Sequence, residues 1–219
     1  MKDLSERADI SSYQGSLYGI YSGKPLYLTS VLAYGLNHYS TRRDLSFADI
    51  SRTANVDYNS HTMGAYLEGG YKVETVVVTF MPMASLTGAY ILRDSFAERD
   101  ADTLGLNAGS ENAAYLQSSL GVKLIKDYAV QKGKLIPELR VSWDHRLSSD
   151  HVVLNASFGG YAANAFTIAG ETPNRDSLGL GIGLTWQVKD TLGFNISYDG
   201  NFSVDKTQQG GALGVQYRW

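Results

Sequence analysis

Residues 177–189 sort by parity. Leu178, Leu180, Ile182, Leu184, Trp186 and Val188 alternate with Gly179, Gly181, Gly183, Thr185, Gln187 and Lys189. Successive side chains of a strand project to opposite faces, so a period of two separates these sets. A helix would scatter both around its circumference. Residues 207–219 divide the same way, with Leu213, Val215, Tyr217 and Trp219 opposing Gln208, Gly210, Ala212, Gly214, Gln216 and Arg218. In 191–203, Leu192, Phe194, Ile196, Tyr198 and Phe202 oppose Asn195, Ser197, Asp199 and Asn201.

The pattern continues upstream. Residues 133–145 set Leu135, Leu139, Val141 and Trp143 against Lys134, Glu138, Arg140, Ser142 and Asp144. Residues 112–126 set Leu116, Leu120, Val122 and Leu124 against Tyr115, Gln117, Ser119, Gly121 and Lys123. Strands are also expected over 76–92 and over 60–73, where Met63, Leu67, Tyr71 and Val73 face away from Tyr66, Glu68 and Lys72. Residues 25–39 gather Leu26, Leu28, Leu32, Tyr34 and Leu36, whereas 11–22 carry aromatics on both faces. Nine strands result, each with one apolar and one polar wall.

Connection lengths point to what the apolar walls meet. The long segments 40–57, 93–111 and 146–176 alternate with short ones at 22–25, near Glu74 and at 189–190. Barrels of bacterial outer membranes have short periplasmic turns and longer external loops, and a soluble sandwich has no reason to segregate lengths this way. Lipid is therefore the expected partner of the apolar faces and water of the polar ones. An odd strand count leaves an antiparallel meander unclosed, and an open edge in lipid costs several kcal/mol per orphaned polar group. The expectation is one domain over 1–219 that lacks its first strands.

Composition fits this picture. Among 219 residues there are 23 glycines and 15 tyrosines, suited to small inward positions and interfacial aromatic girdles. The net charge of -3 provides no basic footprint for nucleic acid, and the absence of cysteine excludes disulfides and thiolate metal sites. No apolar run suits a transmembrane helix, and the charged start Met1-Lys-Asp-Leu-Ser-Glu-Arg has no signal-peptide core. No cofactor is expected.

Pro137-Glu-Leu-Arg-Val-Ser-Trp-Asp-His145, Phe158-Gly-Gly, Phe166-Thr-Ile-Ala-Gly170, Arg175-Asp-Ser-Leu-Gly-Leu-Gly-Ile-Gly183 and the closing Tyr217-Arg-Trp219 occur in that order. Together they resemble the C-terminal translocator β-barrel of autotransporters, the type V secretion proteins, over roughly 11–219. The resemblance implies an all-β, transmembrane, antiparallel up-and-down barrel in the outer membrane. The strands here would be the last nine of about twelve, without the linker helix. It implies a hydrophilic pore for export and anchoring of a passenger, with the bilayer and the barrel insertion machinery as partners. Gly214, Val215, Tyr217 and Trp219 resemble the signal that this machinery reads.

The inward charges Glu68, Lys72, Lys123, Glu138, Arg140, Asp144, Asp199 and Arg218 are expected to line the lumen and pair there. Some family members cleave their passenger with acidic lumen residues, which makes Glu68 and Glu138 candidates beside the structural reading. Asp144-His145 and Asp150-His151 near an external rim leave open an outer-membrane enzyme with a general base. Neighbours in a strand point to opposite faces, however, which weakens a direct pair. A small adhesin- or porin-like barrel is the other alternative. Gly179-Leu-Gly-Ile-Gly183 lies within a strand with no following helix, so a phosphate loop is excluded. Phe158, Tyr161, Phe166 and Ile168 in the longest loop suggest that it folds over or into the mouth, extending the strands above the membrane.

Overall fold

The computed structural model describes residues 6–47, 49–148, 153–159, 163, 165–170 and 174–217. Its wall consists of β1 (Glu6–Ser22), β2 (Leu26–Phe47), β3 (Ile50–Tyr71), β5 (Thr79–Arg93), β8 (Glu111–Ile125), β10 (Gly133–Arg146), β13 (Asp176–Lys189), β14 (Leu192–Phe202) and β15 (Thr207–Tyr217). They pair antiparallel in that order, as a meander, to form a half-barrel. The short β4 (Val73–Glu74) and β9 (Tyr128–Val130) extend hairpins onto β5 and β10.

Register fixes which side chains share a face. Glu68 stands opposite Ser85, and Ser85 opposite Ser119. Farther round, Arg140 stands opposite Lys123 and Gly181, Gly181 opposite Asp199, and Asp199 opposite Gly210. All of these lie on the inner face. One step along any strand reaches the outer face, where Ile182 is 60% exposed and Leu213 82% exposed. Among the described residues no large side chain is fully buried, while Glu68 and Asp144 are buried to 4% and 6% exposure. This inverts the order of a water-soluble domain and suits a sheet whose outer solvent is hydrocarbon.

Segment 40–57 is not the expected loop. β2 and β3 continue as one ladder from Leu26↔Tyr71 to Phe47↔Ile50, each 22 residues long. A membrane crossing takes only about 9–11 residues, so this hairpin stands well clear of the bilayer. Above the lipid both faces meet polar surroundings, and the apolar alternation that marks a crossing is lost. β1 is likewise longer than expected, starting at Glu6, and places Tyr13, Leu17 and Tyr21 outward with Tyr18 and Ile20 inward.

The segments 93–111 and 146–176 build a second sheet instead of extending the wall strands. β6 (Phe96–Ala97), β7 (Leu106–Ala108), β11 (Val153–Phe158) and β12 (Ala165–Ala169) pair in the order β12-β11-β7-β6. A 3-10 turn spans Asp102–Leu104. Leu45 and Ala54, both on the inner face of the β2–β3 hairpin, bury against Ala101 and Leu104. The backbones of Asn55 and Arg99 exchange two hydrogen bonds of 3.1 and 2.8 Å, using the β3 edge beyond the last β5 pair, Ser60↔Arg93. The small sheet thus rests against the inner side of the hairpin, at the long-loop end of the wall. Phe158 and Phe166 stack at 5.3 Å, whereas Tyr161 lies outside the described residues.

Candidate functional site: the polar inner face

Glu68 is the centre of the inner face at the short-turn end. Its carboxylate accepts hydrogen bonds from Lys123 Nζ at 2.5 Å, Tyr66 Oη at 2.5 Å and Tyr27 Oη at 3.1 Å. Met81 and Met83 pack with Tyr27 beside this cluster, so the ion pair is held by an apolar floor. Strand pairing sets the positions: β5 lies between β3 and β8, and its inward residues there are uncharged. Lys123 can therefore reach across β5 to Glu68.

The glycines of β13 have the same kind of purpose. Arg140 and Asp199 form an ion pair across Gly181. A Cβ at Gly181 would come within 2.8 Å of Asp199 Oδ1 and 3.1 Å of Arg140 Nε. Two inward positions farther along β10, Asp144 accepts hydrogen bonds from Ser119 Oγ and, at 2.7 Å, from Asn201 Nδ2. A Cβ at Gly179 would collide with Ser142 Oγ and approach Asp144 Oδ2 to 3.0 Å. Inward glycines make the corridor over which long polar side chains meet. The alternation of glycine with apolar residues in 177–189 was the sequence signal for it.

The remaining candidates are placed as follows. Glu138 faces inward opposite Gly183 and lines a recess with Arg140, Thr185, Asn195 and Asp199. Lys72 lies just beyond β3, where Nζ donates to Ser22 Oγ at 2.7 Å on the short-turn rim. Tyr66, Glu68, Arg140, Asp144, Asp199 and Asn201 border a hollow of about 350 Å³ on the concave side. On β15, Val215 and Tyr217 point outward at 69% and 64% exposure. Gly214 faces inward, where Asn195 occupies the space a side chain would need. Arg218 and Trp219 lie outside the described residues, as do Asp150 and His151.

Asp144 and His145 do point apart. His145 Nδ1 donates to Asp176 Oδ1 at 2.8 Å on the outer face, and Trp143 Nε1 donates to the same oxygen at 2.9 Å. Sequence reasoning passed over this trio, because its partners are 31 residues or more apart and meet only through the β10–β13 register. Among the described residues no group of three or more His, Cys, Asp or Glu side chains is placed to hold a metal ion.

A family model described as the autotransporter beta-domain matches residues 1–199. The chain belongs to that family. The β-domain is similar to the translocator domain of autotransporter NalP from Neisseria meningitidis, at 20% identity and a TM-score of 0.67. That match covers 97% of this chain and 68% of the other. The transport unit of autotransporter AIDA-I from Escherichia coli matches at 12% identity and a TM-score of 0.46, over 98% of this chain and 84% of the other. No curated protein matches in sequence. The β-domain is an outer-membrane translocator domain, and its meander, outward apolar wall and polar concave face are the architecture of that class.

Proposed function

We propose that the β-domain works physically: its inner face lines a hydrated path along which a passenger polypeptide crosses the outer membrane and to which it stays anchored. The continuous polar concave face, on which Glu68 pairs with Lys123 and Arg140 with Asp199, carries the reading. Glu68–Lys123 and Arg140–Asp199 satisfy each other, so an extended chain meets a wall of tyrosine, serine, glutamine and glycine without strong traps.

Closure of that path calls for more strands. The outer edges of β1 and β15 carry no partner among the described residues, and such edges are costly in lipid. Three additional strands between them would give an even, closed meander. Gly214, Val215, Tyr217 and Trp219 would form the ending that the insertion machinery reads, with Val215 and Tyr217 on its outward side. A rim enzyme finds less support, because Asp144 and His145 are on opposite sides of the wall. We also propose no covalent chemistry for Glu68, whose carboxylate is occupied by three donors.

Fusing a secreted reporter ahead of the chain and treating intact cells with protease tests the reading. Digestion of the reporter outside supports it. A membrane-inserted chain that keeps its reporter in the periplasm contradicts it.

A further inference from the structure

On three strands the first outward residue past the apolar band is histidine. β2 carries Leu32, Tyr34 and Leu36 outward and then His38. β3, followed upward from Tyr71, carries Leu67, Ala65 and Met63 and then His61. β10 carries Leu139, Val141 and Trp143 and then His145. His38 lies twelve residues beyond Leu26, His61 ten before Tyr71 and His145 twelve beyond Gly133. A tilted strand crosses hydrocarbon in about 9–11 residues, so all three rings stand where the wall enters the external headgroup layer.

Each ring is oriented through the same atom. His38 Nδ1 donates to Asn59 Oδ1 at 2.9 Å, and His145 Nδ1 donates to Asp176 Oδ1 at 2.8 Å. His61 Nδ1 shares a hydrogen bond of 2.7 Å with Tyr34 Oη. Nδ1 being engaged, Nε2 is the atom left for other partners. In His38 and His145 the acceptor at Nδ1 fixes the neutral tautomer with a bare Nε2, which becomes an N–H donor on protonation.

We propose that His38, His61 and His145 form a collar that binds the phosphates of anionic lipid headgroups in the external leaflet when protonated. Position selects the occupant, since headgroups are what a wall meets at this height. Charge complementarity supplies the affinity. The groups facing the rings are few: Asn59 and Ser11 flank His38, and Tyr34 and Leu92 flank His61. Asp176, with Arg175 near it, and Ser118 flank His145. With neutral imidazoles the charges beside the collar are the Asp176 carboxylate and the Arg175 guanidinium, which offset each other. Protonation adds three imidazolium charges and makes the collar net positive. The inference is independent of passenger transport.

The test is urea unfolding of the full chain in phosphatidylcholine vesicles, with and without phosphatidylglycerol, at pH 7.5 and 5.5. Acidification is expected to favour the folded chain in the phosphatidylglycerol vesicles by about fivefold in equilibrium constant per imidazole, the effect of one positive charge at an anionic surface. No matching gain is expected in phosphatidylcholine. The triple variant His38→Gln, His61→Gln, His145→Gln is expected to lose the gain while retaining His151. An equal gain in both vesicle types overturns the proposal, as does a gain that survives the triple variant. The same gain from inorganic phosphate over phosphatidylcholine alone also overturns it. Should the triple variant not fold, the wild-type comparison between lipids still decides, with His145→Gln expected to remove part of the gain.

Discussion

Glu68 and Lys123, 55 residues apart in the chain, meet at 2.5 Å on the inner face with side chains only 5% and 16% exposed. Breaking such a pair on one side leaves a buried charge without compensation, which costs about 3–5 kcal/mol. Lys123→Met is therefore expected to lose on the order of 3 kcal/mol in urea unfolding from lipid vesicles. Adding Glu68→Gln should recover much of it, and a double-variant loss equal to the sum of the two single-variant losses would show that the pair is not coupled.

Gly214 is expected to resist even a methyl group. Asn195 occupies the place of its Cβ, so Gly214→Ala forces that amide aside and costs about 1–3 kcal/mol by overpacking. Asn195→Ala in the same chain should restore most of the stability. Absence of rescue would show that the Asn195 amide is not what excludes the methyl group.

The small sheet should loosen without harm to the wall. Arg43 Nη2 and Glu98 Oε2 pair at 2.6 Å, and Glu98 also accepts the Leu106 backbone N–H at 2.8 Å. Arg43→Ala is expected to speed proteolysis within 94–110 while leaving the strand content of the wall unchanged. Asn55→Cys with Arg99→Cys should reverse this on oxidation. The two residues form a hydrogen-bonded antiparallel pair, whose Cα separation of about 5.5 Å suits a disulfide.

These ties also mark the limit of what the sequence discloses. Strands that cross lipid declare themselves, because a two-phase environment imposes strict alternation, as at Leu178 to Val188. Above the membrane that constraint lapses: Thr41-Arg42-Arg43-Asp44 reads as loop but forms ladder with Thr53 to Val56. Inward direction was legible for Glu68, Lys123, Arg140 and Asp199, since parity alone decides it. Their pairing was not, because partners are chosen by register across several strands. The histidine collar was hidden for the same reason.

Asp205 provides a pH dependence away from the membrane-spanning part. The Ser203 hydroxyl, at 2.7 Å, and the Asn174 backbone N–H, at 3.1 Å, hold its carboxyl below the ordinary carboxylate value. A depressed folded-state value means that the contact stabilises above the unfolded value and is lost as pH falls through the folded one. Protection of the Asn174 amide from exchange should therefore persist at pH 5 and decline only below about pH 3.9. In Asp205→Ala the protection should be low and independent of pH.

The central claim is that one face of every wall strand meets lipid and the other water. The chain has no cysteine, so single cysteines placed in turn at 178 through 188 on β13 can report each position without background. In lipid vesicles, a charged thiol reagent is expected to label odd positions, and a bilayer-soluble one even positions, alternating at every step. Uniform labelling along β13, or labelling with the parity reversed, would contradict the account.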